Sequence, residues 1–265
     1  MSLLNLNNMK IVDQFFDPYP LIIYSNLLDA DQLKELQSSL SHNNTIFDKT
    51  GMGNRKSILK GTKNFKNFII EHSIANEINN FFEDNSVFNF LFKNLNNLNK
   101  NNSKYFDFQN KKFKFLQNFI SRKNNIFFKI KNRSSKILST IADDCRIYCD
   151  FDFSVAGSGY VRDPHHDQEN RILNFLLYVN DFNGSNGGNF QTYKYKNTPK
   201  TYLREPLLGD LSMINNIKPQ KGYFVTFLSS PNSLHGVDRI LPTNEKRYFF
   251  YGSYTSIKKI KWKYK

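Results

Sequence analysis

A histidine and an aspartate separated by one residue, His165 and Asp167, are the residues of this chain best suited to hold a metal ion. Successive side chains on a strand point to opposite faces, so these two share a face and His166 points away. A third ligand is available in His235, within a later segment that has the pattern of a strand. Two imidazoles and one carboxylate that leave other coordination positions open are typical of non-haem iron(II) sites.

The segments that must position these residues are short and apolar, and they alternate with turns rich in Gly, Asn and Pro. This pattern begins at Arg146 and predicts strands at 146–155, 171–179, 188–196, 222–228, 233–239 and 246–254. Strands at such spacing favour an antiparallel sandwich or barrel over a parallel sheet.

The first half of the chain has a different pattern. Residues 21–24 predict a strand, and Asp29 is the expected N-cap of a helix whose buried stripe includes Leu33 and Leu36. Polar residues 41–62 predict a loop, residues 64–140 are mostly helical in pattern, and the Asn-rich stretch 95–102 predicts a loop within them. We therefore expect an α+β fold in one domain, with a strand and helix support in 1–40, a helical insert or substrate cover in 41–145, and a β-rich core in 146–265.

Composition restricts the class of protein further. The 265 residues carry a formal net charge of +14 and include 26 Phe. No single dense basic run is present, which favours a solvated basic surface, and an anionic partner is the alternative. Without a run of about 18 apolar residues or a leader-like N-terminus, we expect no membrane insertion and a cytoplasmic location. Cys145 and Cys149 are about 13 Å apart if they lie on one strand, which is too far for a disulfide.

The order of the motifs in the second half resembles that of iron(II)- and 2-oxoglutarate-dependent dioxygenases, in particular the branch similar to prolyl 4-hydroxylases. The matching features are the run Gly157–Arg162, the His-x-Asp motif, the Gly187-Gly188 turn, the segment Ser233–Val237 and the strand that begins at Arg247. The opening Asp17-Pro18-Tyr19-Pro20 also looks like that branch. The resemblance covers about 146–254 and, less closely, 17–40, whereas 41–145 matches no pattern that we can place.

This resemblance implies a double-stranded β-helix, or jelly roll, with Fe(II), 2-oxoglutarate and O2 as cofactors and ascorbate as a supporting reductant. It implies that Arg247 binds the far carboxylate of 2-oxoglutarate, since the planar guanidinium can bind a carboxylate bidentately. Lys246 is the rival, but it would face the other side of the strand. Tyr178 aligns with a family tyrosine that donates to the same carboxylate, and we expect Asn174 and Tyr160 to line the same pocket.

The implied reaction is hydroxylation of an unactivated C–H bond, coupled to decarboxylation of 2-oxoglutarate to succinate. The substrate is either a peptidyl side chain of prolyl type or a small metabolite or sugar, and Arg162 or Arg171 could contact an anionic group on it. Nucleic acid is not expected, because the position where nucleic-acid demethylases of this superfamily carry a second arginine holds Ser253. A non-catalytic β-barrel binding module is the alternative, disfavoured because all three ligands and Arg247 are present.

Overall fold

The computed structural model describes residues 4–43, 46–50, 53–100, 113–119 and 145–257. These residues form four α-helices: α1 (Ala30–His42), α2 (Lys63–Glu71), α3 (Ser73–Phe82) and α4 (Asn85–Lys100). They also form thirteen strands: β1 (Lys10–Phe15), β2 (Leu21–Ser25), β3 (Asp48–Lys49), β4 (Arg55–Leu59), β5 (Phe113–Phe115), β6 (Cys145–Ala156), β7 (Arg162–His165), β8 (Arg171–Tyr178), β9 (Phe190–Tyr195), β10 (Leu211–Ile217), β11 (Phe224–Leu228), β12 (Leu234–Val237) and β13 (Arg247–Ser256).

The strands form two sheets. The larger sheet has the order β1-β2-β11-β8-β13-β6-β4-β3, with β5 beside β6, and the smaller has the order β10-β9-β12-β7. Apart from the parallel β5–β6 pair, the neighbouring strands run antiparallel. Within 145–256 the chain crosses repeatedly between the sheets, so that β6, β8, β11 and β13 oppose β7, β9, β10 and β12. Eight strands in this arrangement are a double-stranded β-helix, or jelly roll, and the predicted fold class is confirmed.

The two faces of the larger sheet are covered differently. Its outer face packs against all four helices and forms the main hydrophobic core, to which Phe65, Phe82, Phe88, Phe151 and Phe250 belong. Its inner face packs against the smaller sheet around a second cluster that includes Tyr178, Phe190, Val225 and Phe249. The space between the two sheets is called the barrel interior below.

The first helix begins where its sequence predicts. Asp29 accepts a hydrogen bond from the backbone N–H of Gln32, and the Gln32 side chain in turn accepts one from the Asp29 N–H. This capping box satisfies two backbone donors at the helix start. Leu33, Leu36 and Leu40 then form the stripe that packs on the sheet.

Several predicted elements differ from the structure. The segment 41–62, predicted as a loop, contains β3 and β4, and β4 extends the larger sheet beside β6. The loop predicted at 95–102 is wrong for 95–100, because α4 continues to Lys100. Strands β1, β7 and β10 are missing from the predicted set. Residues 113–115 form β5, although 64–140 was predicted to be mostly helical, and the predictions on 101–112 and 120–144 lie outside the described residues.

Two simpler expectations can be compared directly. Cys145 and Cys149 both lie on β6, so the single strand on which their expected separation was based is present. Among the helices that the structure describes, none has both the length and the apolar character needed to cross a lipid bilayer.

Candidate active site

The three predicted metal ligands meet where the short strands β7 and β12 pair. His165 and His235 are direct partners in this pair, and their ring centroids are 4.4 Å apart. Asp167 follows the end of β7. One ligand atom from each of the three residues lies within 4.8 Å of the others, and the three side chains are buried. The structure therefore brings together residues that are far apart in the sequence.

Backbone carbonyls determine the tautomer of both histidines. Nδ1 of His165 lies 2.9 Å from the carbonyl oxygen of Asp163, and Nδ1 of His235 lies 2.9 Å from that of Ser233. A carbonyl oxygen can only accept, so each Nδ1 carries the proton and donates it. Each Nε2 is then left unprotonated, which is the form that binds a metal ion.

Burial keeps these imidazoles neutral. Burial, reinforced by the neighbouring His235, lowers the pKa of His165 to about 3. Burial likewise lowers the pKa of His235, although Asp167 opposes the shift. Both rings can therefore offer a lone pair at neutral pH without first losing a proton.

Asp167 is held as an anion. Burial alone would raise its pKa, but Arg171, His235 and His165 outweigh burial and hold the pKa of the carboxyl well below its usual range. Oδ2 of Asp167 lies 3.6 Å from Nε2 of His235, so this oxygen faces the position between the two histidines. Two neutral imidazoles and one carboxylate fit iron(II) at a site with open coordination positions.

Arg247 lies at the start of β13 and points into the barrel interior. Only 1% of it is exposed, its NH1 donates to the carbonyl of Gly188, and its guanidinium lies 4.7 Å from the ring centroid of Phe249. Its Nε is buried without a hydrogen-bond partner among the described residues. A buried guanidinium with an unused donor is well suited to bind a carboxylate.

Tyr178 offers a second unused donor beside Arg247. Its ring centroid lies 5.8 Å from the Arg247 guanidinium, and its buried hydroxyl has no hydrogen-bond partner among the described residues. Burial, only partly offset by Arg247, raises the pKa of Tyr178 to about 12, so the phenol stays protonated and can donate. Buried polar atoms are seldom left unpaired, so these two donors fit the carboxylate of a bound 2-oxoglutarate.

The other candidate cofactor residues occupy different places. Tyr160 lies beside Arg247, with its ring centroid 5.5 Å from the guanidinium. Asn174 also faces the barrel interior, but its contacts are Ser229, Tyr251 and Arg171, on the side of the metal ligands. The rival Lys246 is exposed.

Two residues beside Asp167, Arg171 and Tyr251, make contacts that the sequence did not predict. Arg171 donates to Oδ1 of Asp167 at 2.9 Å, and the Tyr251 hydroxyl donates to Oδ2 at 2.9 Å. Strand alternation could have identified Tyr251, because it lies four residues after Arg247 and so shares its face. Arg162, the other arginine expected as a candidate contact for an anionic substrate, pairs with Glu205 at the surface.

Gly188 and His166 also make close contacts in the site that the sequence did not predict. Gly188 has φ +76, and a Cβ there would meet Ile240 at 3.1 Å and NH1 of Arg247 at 3.4 Å. A glycine therefore lets the turn approach Arg247 closely. His166, which strand alternation points away from the other two residues of the motif, is buried, and its Nδ1 donates to the carbonyl of Asp167.

Comparison with known proteins agrees with this geometry. Residues 151–253 match the family model of the 2OG-Fe(II) oxygenase superfamily. A search of curated protein sequences gives no match.

Three solved structures are similar over much of the chain. A prolyl-4-hydroxylase from Pseudomonas putida is 13% identical over 89% of this chain and 91% of its own, with a TM-score of 0.41. HygX from Streptomyces hygroscopicus, solved with nickel and 2-oxoglutarate, is 9% identical over 89% of this chain and 83% of its own, with a TM-score of 0.45. A viral collagen prolyl hydroxylase from Paramecium Bursaria Chlorella virus-1 is 14% identical over 53% of this chain and 78% of its own, with a TM-score of 0.30. Because all three TM-scores are below 0.5, the fold assignment rests on the strand order described above.

The matched segment begins within β6, ends within β13 and contains all three metal ligands together with Arg247 and Tyr178. The chain thus contains a domain of the 2OG-Fe(II) oxygenase superfamily, and it is an oxygenase. The superfamily and enzyme class predicted from the sequence are confirmed, and the binding-module alternative is not supported.

Proposed function

We propose that this oxygenase hydroxylates an unactivated C–H bond and that the reaction is coupled to decarboxylation of 2-oxoglutarate to succinate. One observation carries the proposal. The Arg247 Nε and the Tyr178 hydroxyl, which have no hydrogen-bond partner among the described residues, share the barrel interior with the ligands His165, Asp167 and His235. A dicarboxylate that reaches from the ligands to Arg247 would satisfy both ends of the site.

In this proposal His165 and His235 bind iron(II) through Nε2, and Asp167 binds it through a carboxylate oxygen. When bound, iron(II) and 2-oxoglutarate together supply the chemistry that activates O2 for attack on the C–H bond. The protein's part is to hold these groups and keep water away from them. Phe190 and Phe227 contribute by packing against the ring of His235, with centroids 5.6 and 4.8 Å away.

Arg247 and Tyr178 would bind the far carboxylate of 2-oxoglutarate. NH1 of Arg247 is held by the carbonyl of Gly188, which orients the guanidinium, and its Nε is left for the ligand. Both side chains are fully desolvated, so a charge-assisted hydrogen bond here is not weakened by competing water. We assign Tyr160 to the wall of this pocket, and Asn174 to the end of the pocket nearest the metal ligands.

The substrate class has two candidates, a peptidyl side chain of prolyl type and a small metabolite or sugar. Exposed apolar side chains lie on the loop between β9 and β10: Leu203, Leu207 and Leu208. The carbonyl of Arg204 in this loop accepts from the backbone N–H of His166, so the loop borders the metal site. An apolar rim next to the site favours a substrate that presents apolar surface.

We still propose that the segment 41–145 includes a substrate cover, but its described helices do not form that cover. Helices α2, α3 and α4 in this segment pack on the outer face of the larger sheet, away from the barrel interior. The predictions on 101–112 and 120–144 lie outside the described residues. We also propose a cytoplasmic location, a basic surface without nucleic acid as substrate, and ascorbate as a supporting reductant.

The test is succinate release from 2-oxoglutarate by protein purified without oxygen and then supplied with iron(II), ascorbate and air. We expect iron-dependent succinate from the wild type, stimulated by a true substrate, and a fall to background in His235→Ala. His42→Ala, a change of the same kind at an exposed histidine, is the matched control and should retain the wild-type rate. Equal succinate release by wild type and His235→Ala would contradict the metal assignment.

A further inference from the structure

The carboxylate of Asp167 has both of its oxygens engaged by side chains that are not metal ligands. NH1 of Arg171 donates to Oδ1 at 2.9 Å, and the Tyr251 hydroxyl donates to Oδ2 at 2.9 Å. The same Arg171 nitrogen lies 2.7 Å from the Tyr251 hydroxyl, and the two side chains stack with the guanidinium 5.4 Å from the ring centroid. The three side chains therefore form one closed network.

This network is anchored on the larger sheet. Asn174 on β8 lies between its members, with Oδ1 3.4 Å from the Tyr251 hydroxyl and 3.5 Å from NH1 of Arg171. The other end of the Asn174 amide donates to the hydroxyl of Ser229 at 2.5 Å. Arg171 is on β8 and Tyr251 on β13, whereas the histidine ligands lie on the smaller sheet. One sheet thus fixes the orientation of a ligand that completes a site on the other.

The two oxygens of Asp167 are not equivalent in this arrangement. Oδ2 faces Nε2 of His235 at 3.6 Å, whereas Oδ1 is held by the charged Arg171. The terminal torsion of an aspartate side chain is broad, so an unrestrained carboxylate could turn and present both oxygens to a metal ion. A charge-assisted hydrogen bond on Oδ1 opposes that turn.

We propose that Arg171 and Tyr251 are positioning residues that make Asp167 bind the metal through Oδ2 alone. This inference rests on the proposed function, because it concerns the same metal site. Its consequence is that the coordination position which a second carboxylate oxygen would occupy stays open for exchangeable ligands. Arg171 is then a determinant of the number of open positions, and not only of the strength of metal binding.

The experiment uses metal ions that do not turn over. Ni²⁺ affinity is measured by calorimetry, and exchangeable water on Mn²⁺-loaded protein is counted by water-proton relaxation. In Arg171→Met we expect Ni²⁺ affinity to fall by about 10- to 100-fold, the usual effect of removing a partner of a metal ligand. We also expect about one exchangeable water fewer, because the freed carboxylate can chelate with both oxygens. Arg171→Lys should recover part of the affinity, since it restores the charge without the planar fork.

Arg239→Met is the matched control, because Arg239 also lies in the second half of the chain but its side chain is exposed. It should leave both readouts unchanged. Tyr251→Phe removes a single hydroxyl with little change of volume, and it should weaken Ni²⁺ binding by up to about 10-fold. This milder variant keeps the test valid if Arg171→Met fails to fold.

The possible outcomes are distinct. Wild-type affinity and water count in a folded Arg171→Met protein would overturn the proposal while leaving the metal site intact. A loss of affinity with an unchanged water count would also overturn it, since Arg171 would then support metal binding without setting the open positions. If the wild type itself binds no Ni²⁺, the proposed function fails, and the positioning role fails with it.

Discussion

The outer and inner faces of the larger sheet are built from the same strands but have different chemistry. On β13, Phe250 and Tyr254 point outward into the core beneath the helices, whereas Arg247 and Tyr251 point into the barrel interior. The outer phenol is paired, because the Tyr254 hydroxyl donates to the carbonyl of Phe82. On the inner face the equally buried hydroxyl of Tyr178 has no partner among the described residues.

The comparison indicates how one sheet can combine stability with binding. Outward side chains are apolar or fully paired, so their burial stabilises the fold. Inward side chains include the Arg247 Nε and the Tyr178 hydroxyl, two buried donors that cost free energy until a ligand satisfies them. Substitutions on the outer face should therefore change stability, and those on the inner face should change ligand affinity.

The largest effect is expected on the outer face for Phe82→Ala. Phe82 is fully buried, and its ring stacks on Phe175 with centroids 4.4 Å apart. Its removal should lower the free energy of unfolding by about 3–5 kcal/mol, as measured by urea denaturation. The Ni²⁺ affinity of the remaining folded protein should be unchanged. A weaker affinity in the folded fraction would show that the two faces are not separable.

On the inner face, Arg247→Met should weaken 2-oxoglutarate binding by about 10- to 100-fold, because a hydrogen bond to a charged group contributes about 1.5–3 kcal/mol. Calorimetry with Ni²⁺-loaded protein measures this change. Lys246→Met removes a neighbouring charge that is exposed, and it serves as the control. Equal affinities in the two variants would assign the carboxylate to another residue.

The smallest and sharpest comparison uses two fully buried tyrosines. Tyr178→Phe should weaken 2-oxoglutarate binding by about 3- to 10-fold and leave stability unchanged, since its hydroxyl has no partner among the described residues to lose. Tyr254→Phe should lower the free energy of unfolding by about 1 kcal/mol and leave 2-oxoglutarate binding unchanged. The account of the two faces would be refuted if Tyr178→Phe were the variant that lost stability.

The parts of the fold that the sequence predicted well are those with a regular pattern of burial. Strands β6, β8 and β13 have alternating or continuous apolar residues, and the capping box at Asp29 marks the start of α1. Strand β4 was missed because its inward residues are Arg55 and Ser57, which interrupt the apolar alternation. Nor was β10 predicted, because it is an edge strand in which only the two end residues, Leu211 and Ile217, are buried.

The site could be predicted where its residues are close in sequence or follow a family spacing. These patterns predicted His165, Asp167 and His235, which the structure brings together, and Arg247, which it buries. The network of Arg171 and Tyr251 could not be, because it depends on how β13 aligns with β8. That pairing includes an irregularity between Tyr254 and Thr255, next to Arg171, which no sequence pattern shows.

The central claim is that the barrel interior binds 2-oxoglutarate beside a metal ion held by His165, Asp167 and His235. The most direct measurement is calorimetric titration of 2-oxoglutarate into the wild-type protein with and without Ni²⁺, under conditions that prevent turnover. The account predicts one 2-oxoglutarate per chain, bound more tightly when Ni²⁺ is present, and no such enhancement in Asp167→Ala. The central claim would be contradicted if 2-oxoglutarate did not bind, or if its affinity were the same with and without Ni²⁺ and in Asp167→Ala.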